Sequence, residues 1–256
     1  DLSYNCPVGH GQHGIYHAYG SGIIANNIVY RSQSYGIHLW HNPKNVKVYN
    51  NLVFNNQNGF VVGGQNEGLA ENITVANNIF YGNKGYCVRT DLGNWGSNIT
   101  FLNNLFFGNG LGSVYGSRGA WTGTINTDPQ FVNYLPNGGG DYHLRSTSPA
   151  INAGVSAPEV TTDFDGVTRP QGLAYDIGAY EFVTGAKTYY VATTGNDANS
   201  GTSASPFKTI QKAADVVLPG DRVIVKAGTY YERVIMKTSG TASQPITFEG
   251  EPGAII

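Results

Sequence analysis

Along residues 1–133, apolar positions recur in short bursts of period two, each burst closed by glycine or asparagine. A paired asparagine marks the repeat: Asn26-Asn27, Asn50-Asn51, Asn77-Asn78 and Asn103-Asn104, spaced 24, 27 and 26 residues apart. After each pair comes an apolar triplet, Ile28-Val29-Tyr30, Leu52-Val53-Phe54, Ile79-Phe80-Tyr81 and Leu105-Phe106-Phe107. Before it, from the second repeat on, lie Val46 and Val48, Ile73 and Val75, Ile99 and Phe101. A third stretch opens each repeat at Gly14-Ile15, Gly36-Ile37, Gly59-Phe60 and Gly85-Tyr86, and a weaker fifth repeat carries Ile125, Asn126 and Phe131. Period-two alternation over a few residues predicts strands. Three short strands per repeat predict one coil of a parallel β-helix, whose coils bury their apolar face only by stacking. The paired asparagines fall where a coil bends. Asparagine tolerates left-handed backbone, and its amide can bond its copy in the next coil. They are therefore expected to be structural ladders, not catalytic groups.

The rest of the chain changes character. The stretches DPQFVNYLPNGGGDYHLRSTSPAINAG and TTDFDGVTRPQGLAYDIGAYEF are rich in turns. Residues 188–256 open with TYYVATTGNDANSGTSASPFKTIQKAAD, which has the form of an opening cap. One helix is predicted from Ser205 to Val217, with Ser205 as N-cap and Pro206 at the first helical position. Phe207, Ile210, Ala214 and Val217 share its apolar face, and Pro219-Gly220 ends it. Val223 and Val225, Val234 and Met236, and Ile246 and Phe248 then read as first coils of a solenoid.

These stretches together resemble extracellular right-handed parallel β-helix repeat proteins. The resemblance covers nearly the whole chain. It implies an all-β fold: a right-handed, single-stranded parallel β-helix solenoid of about seven coils with one short capping α-helix. It also implies a secreted or cell-surface protein acting on a polysaccharide. In that family the cap begins the domain and the DIGAYEF-like stretch closes it; here the order is reversed. The segments are 1–133 (central coils), 134–187 (closing segment and linker) and 188–256 (cap and first coils). The expected arrangement is one structural domain in circularly permuted order, and a monomer. A cap-swapped oligomer and a chain straddling two tandem domains are the alternatives. Seven coils span about 34 Å, which residues 134–187 can easily retrace along the outside.

Composition narrows the function. There are 35 Gly, charged residues make up 12% and the net charge is −2, so no nucleic-acid or anionic-membrane partner is expected. No apolar run reaches membrane-spanning length. Cys6 and Cys87 do not make a disulfide framework; they are free or paired, with Cys87 placed outward by the alignment. No phosphate-binding loop precedes a helix.

The chemistry is expected on the outer face. Aligning the first strands on their glycines points Tyr16, His38, Val61 and Cys87 outward, then Ala18, Trp40, Gly63 and Arg89. Ile15, Ile37, Phe60, Tyr86 and His17 point inward. The candidate site is Tyr16, His38, Trp40, His41 and Arg89, with Lys44 and Asp91 on adjoining loops and His10 and His13 leaning over them. An aromatic face packs on a pyranose ring, and arginine pairs bidentately with a carboxylate. Gly63-Gly64 would leave room for a chain across the strands. Proteins similar in family include lyases that cleave uronic-acid polymers by β-elimination, often with calcium. That chemistry needs a base and a cation on the sugar carboxylate. Arg89 would neutralise, His38 or Lys44 would be the base and Tyr16 the acid; Trp40, His41, Asp91 and His13 would bind substrate. The alternatives are a hydrolase using a carboxylate pair such as Glu67 and Asp91, and a binding or structural module without turnover. Asp163 and Asp165, with Asp176 and Glu181, are candidate Ca2+ ligands, against the simpler reading of turn chemistry.

Overall fold

The computed structural model describes residues 12–64, 68–183, 185–218, 220–240 and 245–256. The chain divides into two compact units, Asp1–Phe182 and Val183–Ile256. The β-solenoid has about nine turns, rather than about seven. The expected fifth repeat is present: Ile125 bridges Leu105 in parallel.

In the first unit the strands stack in parallel into two main sheets. Ile15–Ala25 and Tyr35–Tyr49 are long strands that run through a bend and pair along their length. In the next turns the same run is cut in two by loops. Asn58–Val62 and Tyr86–Arg89 continue one half, and Ile73–Ala76 and Ile99–Leu102 the other. The apolar triplets form the second sheet, Ile28–Tyr30, Leu52–Phe54, Ile79–Tyr81 and Leu105–Phe107. Their unbroken apolarity has a cause. Val53, Phe80 and Phe106 face the interior of the solenoid with Ile37, Phe60, Val75 and Phe101. Leu52, Phe54, Ile79 and Leu105 face outward, under Phe131 and under Tyr142, Leu144, Ile177 and Tyr180 of the closing segment. A sheet buried on both faces needs apolar residues at every position.

The two members of each asparagine pair have separate tasks. The first sits in left-handed backbone, with φ of 54°, 54°, 57° and 46° at Asn26, Asn50, Asn77 and Asn103. Its amide points outward and holds the closing segment: Asn103 donates to the Ala153 carbonyl, Asn77 to Val155, Asn26 to Thr162 and Asn50 to Asp176, at 2.6–2.8 Å. The closing segment thus retraces the solenoid from the turn of Asn103 to that of Asn26. The second asparagine points inward. The Oδ1 atoms of Asn51, Asn78 and Asn104 accept the backbone N–H of Asn27, Asn51 and Asn78 at 2.9–3.0 Å. This is the expected ladder, and Asn56, Asn83 and Asn109 form a second one.

Turn chemistry accounts for the suspected calcium ligands. Asp163 Oδ1 accepts from the backbone of Asp165 and Val167, and its Oδ2 from Glu181. Asp165 bonds His143, which also bonds Asp141. Asp176 accepts from the backbone of Asn152 and Phe182, and Glu181 pairs with Arg169 at 2.7 Å with both side chains fully buried. These oxygens face N–H groups, and among the described residues no three acidic, histidine or cysteine side chains converge as a metal site.

In the second unit Thr188–Val191, Arg222–Val225 and Thr247–Gly250 form a parallel sheet. The helix is shorter than expected, Ile210–Val216, with Thr209 rather than Ser205 as N-cap. The reason is competition from the sheet. Phe207 donates to Tyr190 and accepts from Ala192, which draws it into an extended bridge to Val191. Glu232 then accepts the N–H groups of Ile210 and Gln211, which have no partner inside the helix.

Candidate functional site

Strand register builds the site. Tyr16 lies opposite His38, His38 opposite Val61, Val61 opposite Arg89 and Arg89 opposite Tyr115. Five turns thus contribute one outward column, about 19 Å long at the usual strand spacing. This corrects the glycine alignment, which put Arg89 beside Gly63. The bonds from Lys84 N to Asn56 O and from Gly85 N to Gln57 O shift the turn, and Asn58 Oδ1 takes the Tyr86 N–H. Val88 therefore faces Phe60, and Tyr86 tilts onto Tyr115 with ring centroids 4.8 Å apart. Cys87 is likewise not outward: it is a free thiol, wholly buried in the core, and burial raises its pKa well above the usual thiol range. Cys6 and His10 lie outside the described residues.

At one end of the column the structure brings together His13, Tyr16, His38, Trp40 and His41. His13 Nε2 lies 3.0 Å from His38 Nδ1. The His13 ring stacks on Tyr16 at 5.3 Å and on Tyr35 at 5.8 Å. His38 meets Trp40 edge-on at 5.1 Å, and Tyr19 stacks on His41 at 5.0 Å. Tyr16 and Tyr19 remain 47% and 55% exposed. His38 is 9% exposed, and its Nε2 has no partner among the described residues. Burial first, then His13 and His41, lower its pKa to about 3. His38 is thus a neutral, enclosed imidazole, weakly basic and turned away from solvent, which does not suit the base of an elimination. His17 is a rim residue, its Nε2 3.3 Å from the Gly20 carbonyl.

At the other end Arg89 is engaged. Its Nε and Nη2 donate to the two oxygens of Asp91 at 2.9 and 2.5 Å. Nη1 reaches the Tyr35 hydroxyl at 3.5 Å, and the guanidinium lies 5.3 Å from the Tyr115 ring centroid. The bond to Arg89 holds the Asp91 carboxyl below its usual range, and the bond to Asp91 raises Arg89. Asp91 therefore stays ionised and cannot serve as a general acid. Lys44 is paired with Glu71 at 3.0 Å rather than joining the His38 cluster. Glu67, the other half of the conceived carboxylate pair, lies outside the described residues. The room expected over Gly63-Gly64 is filled: a Cβ on Gly63 would meet the Trp40 ring and the Leu92 carbonyl at 2.8 Å, and one on Gly64 the Gly68 carbonyl at 2.1 Å.

Tyr35, Tyr115 and Arg118 complete the face and escaped the sequence reading. Tyr35 precedes the glycine from which the strands were aligned. Tyr115 and Arg118 belong to the fifth repeat, where no asparagine pair marks the register.

A family model described as a right-handed β-helix region matches residues 2–133, just over half of the chain. A second, described as a protein of unknown function (DUF1565), matches residues 193–236. The uncharacterized protein YwoF of Bacillus subtilis (strain 168) is 42% identical over 59 residues, 23% of this chain. The match spans 13% of that protein's length. No solved structure matches.

Proposed function

We propose a function for a chain that belongs to the right-handed β-helix family: it binds an extracellular polysaccharide laid across the strands, along the column from Tyr16 to Tyr115. The supporting observation is the column itself. Half-exposed tyrosines stand at its two ends, and an arginine and a histidine lie between them in register. Each turn advances by about 4.8 Å, close to the length of one sugar in an extended chain, so the exposed rungs, Tyr16 and Tyr115 with the part-exposed Arg89, can meet sugars spaced along it, while His38 and Val61 are buried beneath. Aromatic faces supply apolar contact and fixed polar groups supply orientation. The reading places the protein outside the cell, where such polymers are met, and accumulation of the protein in the medium of an expressing culture is the check.

Calorimetric titration with uronate-containing oligosaccharides tests binding. Saturable binding is expected, weakened on the order of tenfold in Tyr16→Ala. Absence of binding to any acidic or neutral oligosaccharide overturns the reading.

Cleavage by β-elimination is the second reading, favoured by one observation, the contact of the His13 imidazole with both His38 and the Tyr16 phenol. The same titration, followed for the absorbance of a new unsaturated sugar, separates cleavage from binding alone. Release of reducing ends without that absorbance would mark hydrolysis instead.

A further inference from the structure

We propose that Arg118 reads a carboxylate on the ligand and so makes this face selective for uronate-bearing chains; the inference deepens the polysaccharide reading and rests on it. Three cations of the first unit are matched one to one: Lys44 with Glu71, Lys47 with Glu159, and Arg89 with Asp91 through two bonds. Arg118 is different. Among the described residues it makes no ion pair. Its Nη1 donates to the Gly93 carbonyl at 2.9 Å, and its guanidinium lies 5.9 Å from the Trp95 ring centroid. Its backbone N–H is tied to Thr90 Oγ1 at 3.3 Å. The head is thus placed by the fold, on an exposed residue.

The surroundings leave a surplus of positive charge. Arg118 is close enough to Asp91 to help hold that carboxyl ionised, but Asp91 is already bonded twice by Arg89. Arg89, Asp91 and Arg118 together therefore carry one net positive charge. A guanidinium has five donors in a planar fork that fits a carboxylate edge on. With one donor used on Gly93, Arg118 can still present a bidentate pair. Because its position is held in advance, little ordering remains to be done on binding. Tyr115, three residues earlier and 46% exposed, ends the column along which the same chain would run.

The experiment compares a uronate oligosaccharide with its carboxyl-reduced, neutral counterpart, titrated into the wild-type chain and into Arg118→Gln. Wild type is expected to favour the acidic ligand on the order of tenfold, with the gap shrinking as salt rises. Arg118→Gln should bring the acidic affinity down to the neutral level while the thermal unfolding midpoint stays put. Retention of the gap in Arg118→Gln, or equal affinity for the two ligands in wild type, overturns the assignment and leaves the polysaccharide reading intact. Failure of wild type to bind either ligand overturns that reading instead.

Discussion

His38 shows how one residue couples the site to stability. Its folded form excludes the proton because the imidazole is enclosed and faces two other histidines. A base whose folded pKa is depressed contributes stability that is complete above its unfolded value, near 6.5, and is lost as the pH falls toward about 3. The swing is at most about 5 kcal/mol. Asp176 acts in the opposite sense: burial and Glu181 push it up to about 7. Its share is present below the unfolded carboxyl value and fades as the pH rises through 7. Melting wild type beside His38→Gln isolates the histidine. Wild type should be more stable at pH 7, and the gap should close or reverse by pH 4; a gap that does not change with pH would sink the assignment. At this scale, the sequence showed which side chains point outward from the long first strands, since parity follows from period two. It did not show Arg89's true neighbours. That position depends on a turn of hydrogen bonds between Asn56 and Tyr86, and a glycine is a poor anchor for it.

Among the elements, the asparagine turns set how strongly each coil is tied to the next. Asn78 accepts the Asn51 N–H and donates to the carbonyls of Val48 and Ala76. Replacing it with alanine strands these buried groups, at a cost of about 2–4 kcal/mol. Asn72 makes a side-chain bond to Asn45 in the open, where water can replace it, and its backbone is left-handed, with φ of 53°, so Asn72→Gly, which keeps that backbone unstrained, should cost under about 1 kcal/mol. Urea midpoints of the two variants measure the difference, and equal costs would contradict the ladder's weight. The strands, the apolar triplets and the bend asparagines were legible because each follows from local alternation and turn geometry. The helix start was not. Ser205-Pro206 is a sound local signal, but Phe207 is claimed by a strand pairing 16 residues upstream, and such competition leaves no local mark.

For the whole molecule, coiled architecture could be read from the repetition and the family from the cap and closing stretches, whereas the number of turns could not. The order of segments predicts a monomer. Light scattering across a dilution series should return the mass of one chain throughout; a ladder of larger species would favour cap exchange between chains. The closing segment of the first unit has a further consequence. A stack of coils ordinarily behaves as a row of dominoes, each turn supported by its two neighbours and free to peel from an end. Here ten residues, from Ala153 to Thr162, are stitched to turns three repeats apart. They serve as a batten nailed across planks. Loosening one turn pulls on a strip shared by the others, so fraying at either end is resisted along the length. Residues 12–182 should therefore melt in a single sharp transition, and proteolytic nicking between 134 and 152 should split that transition into steps.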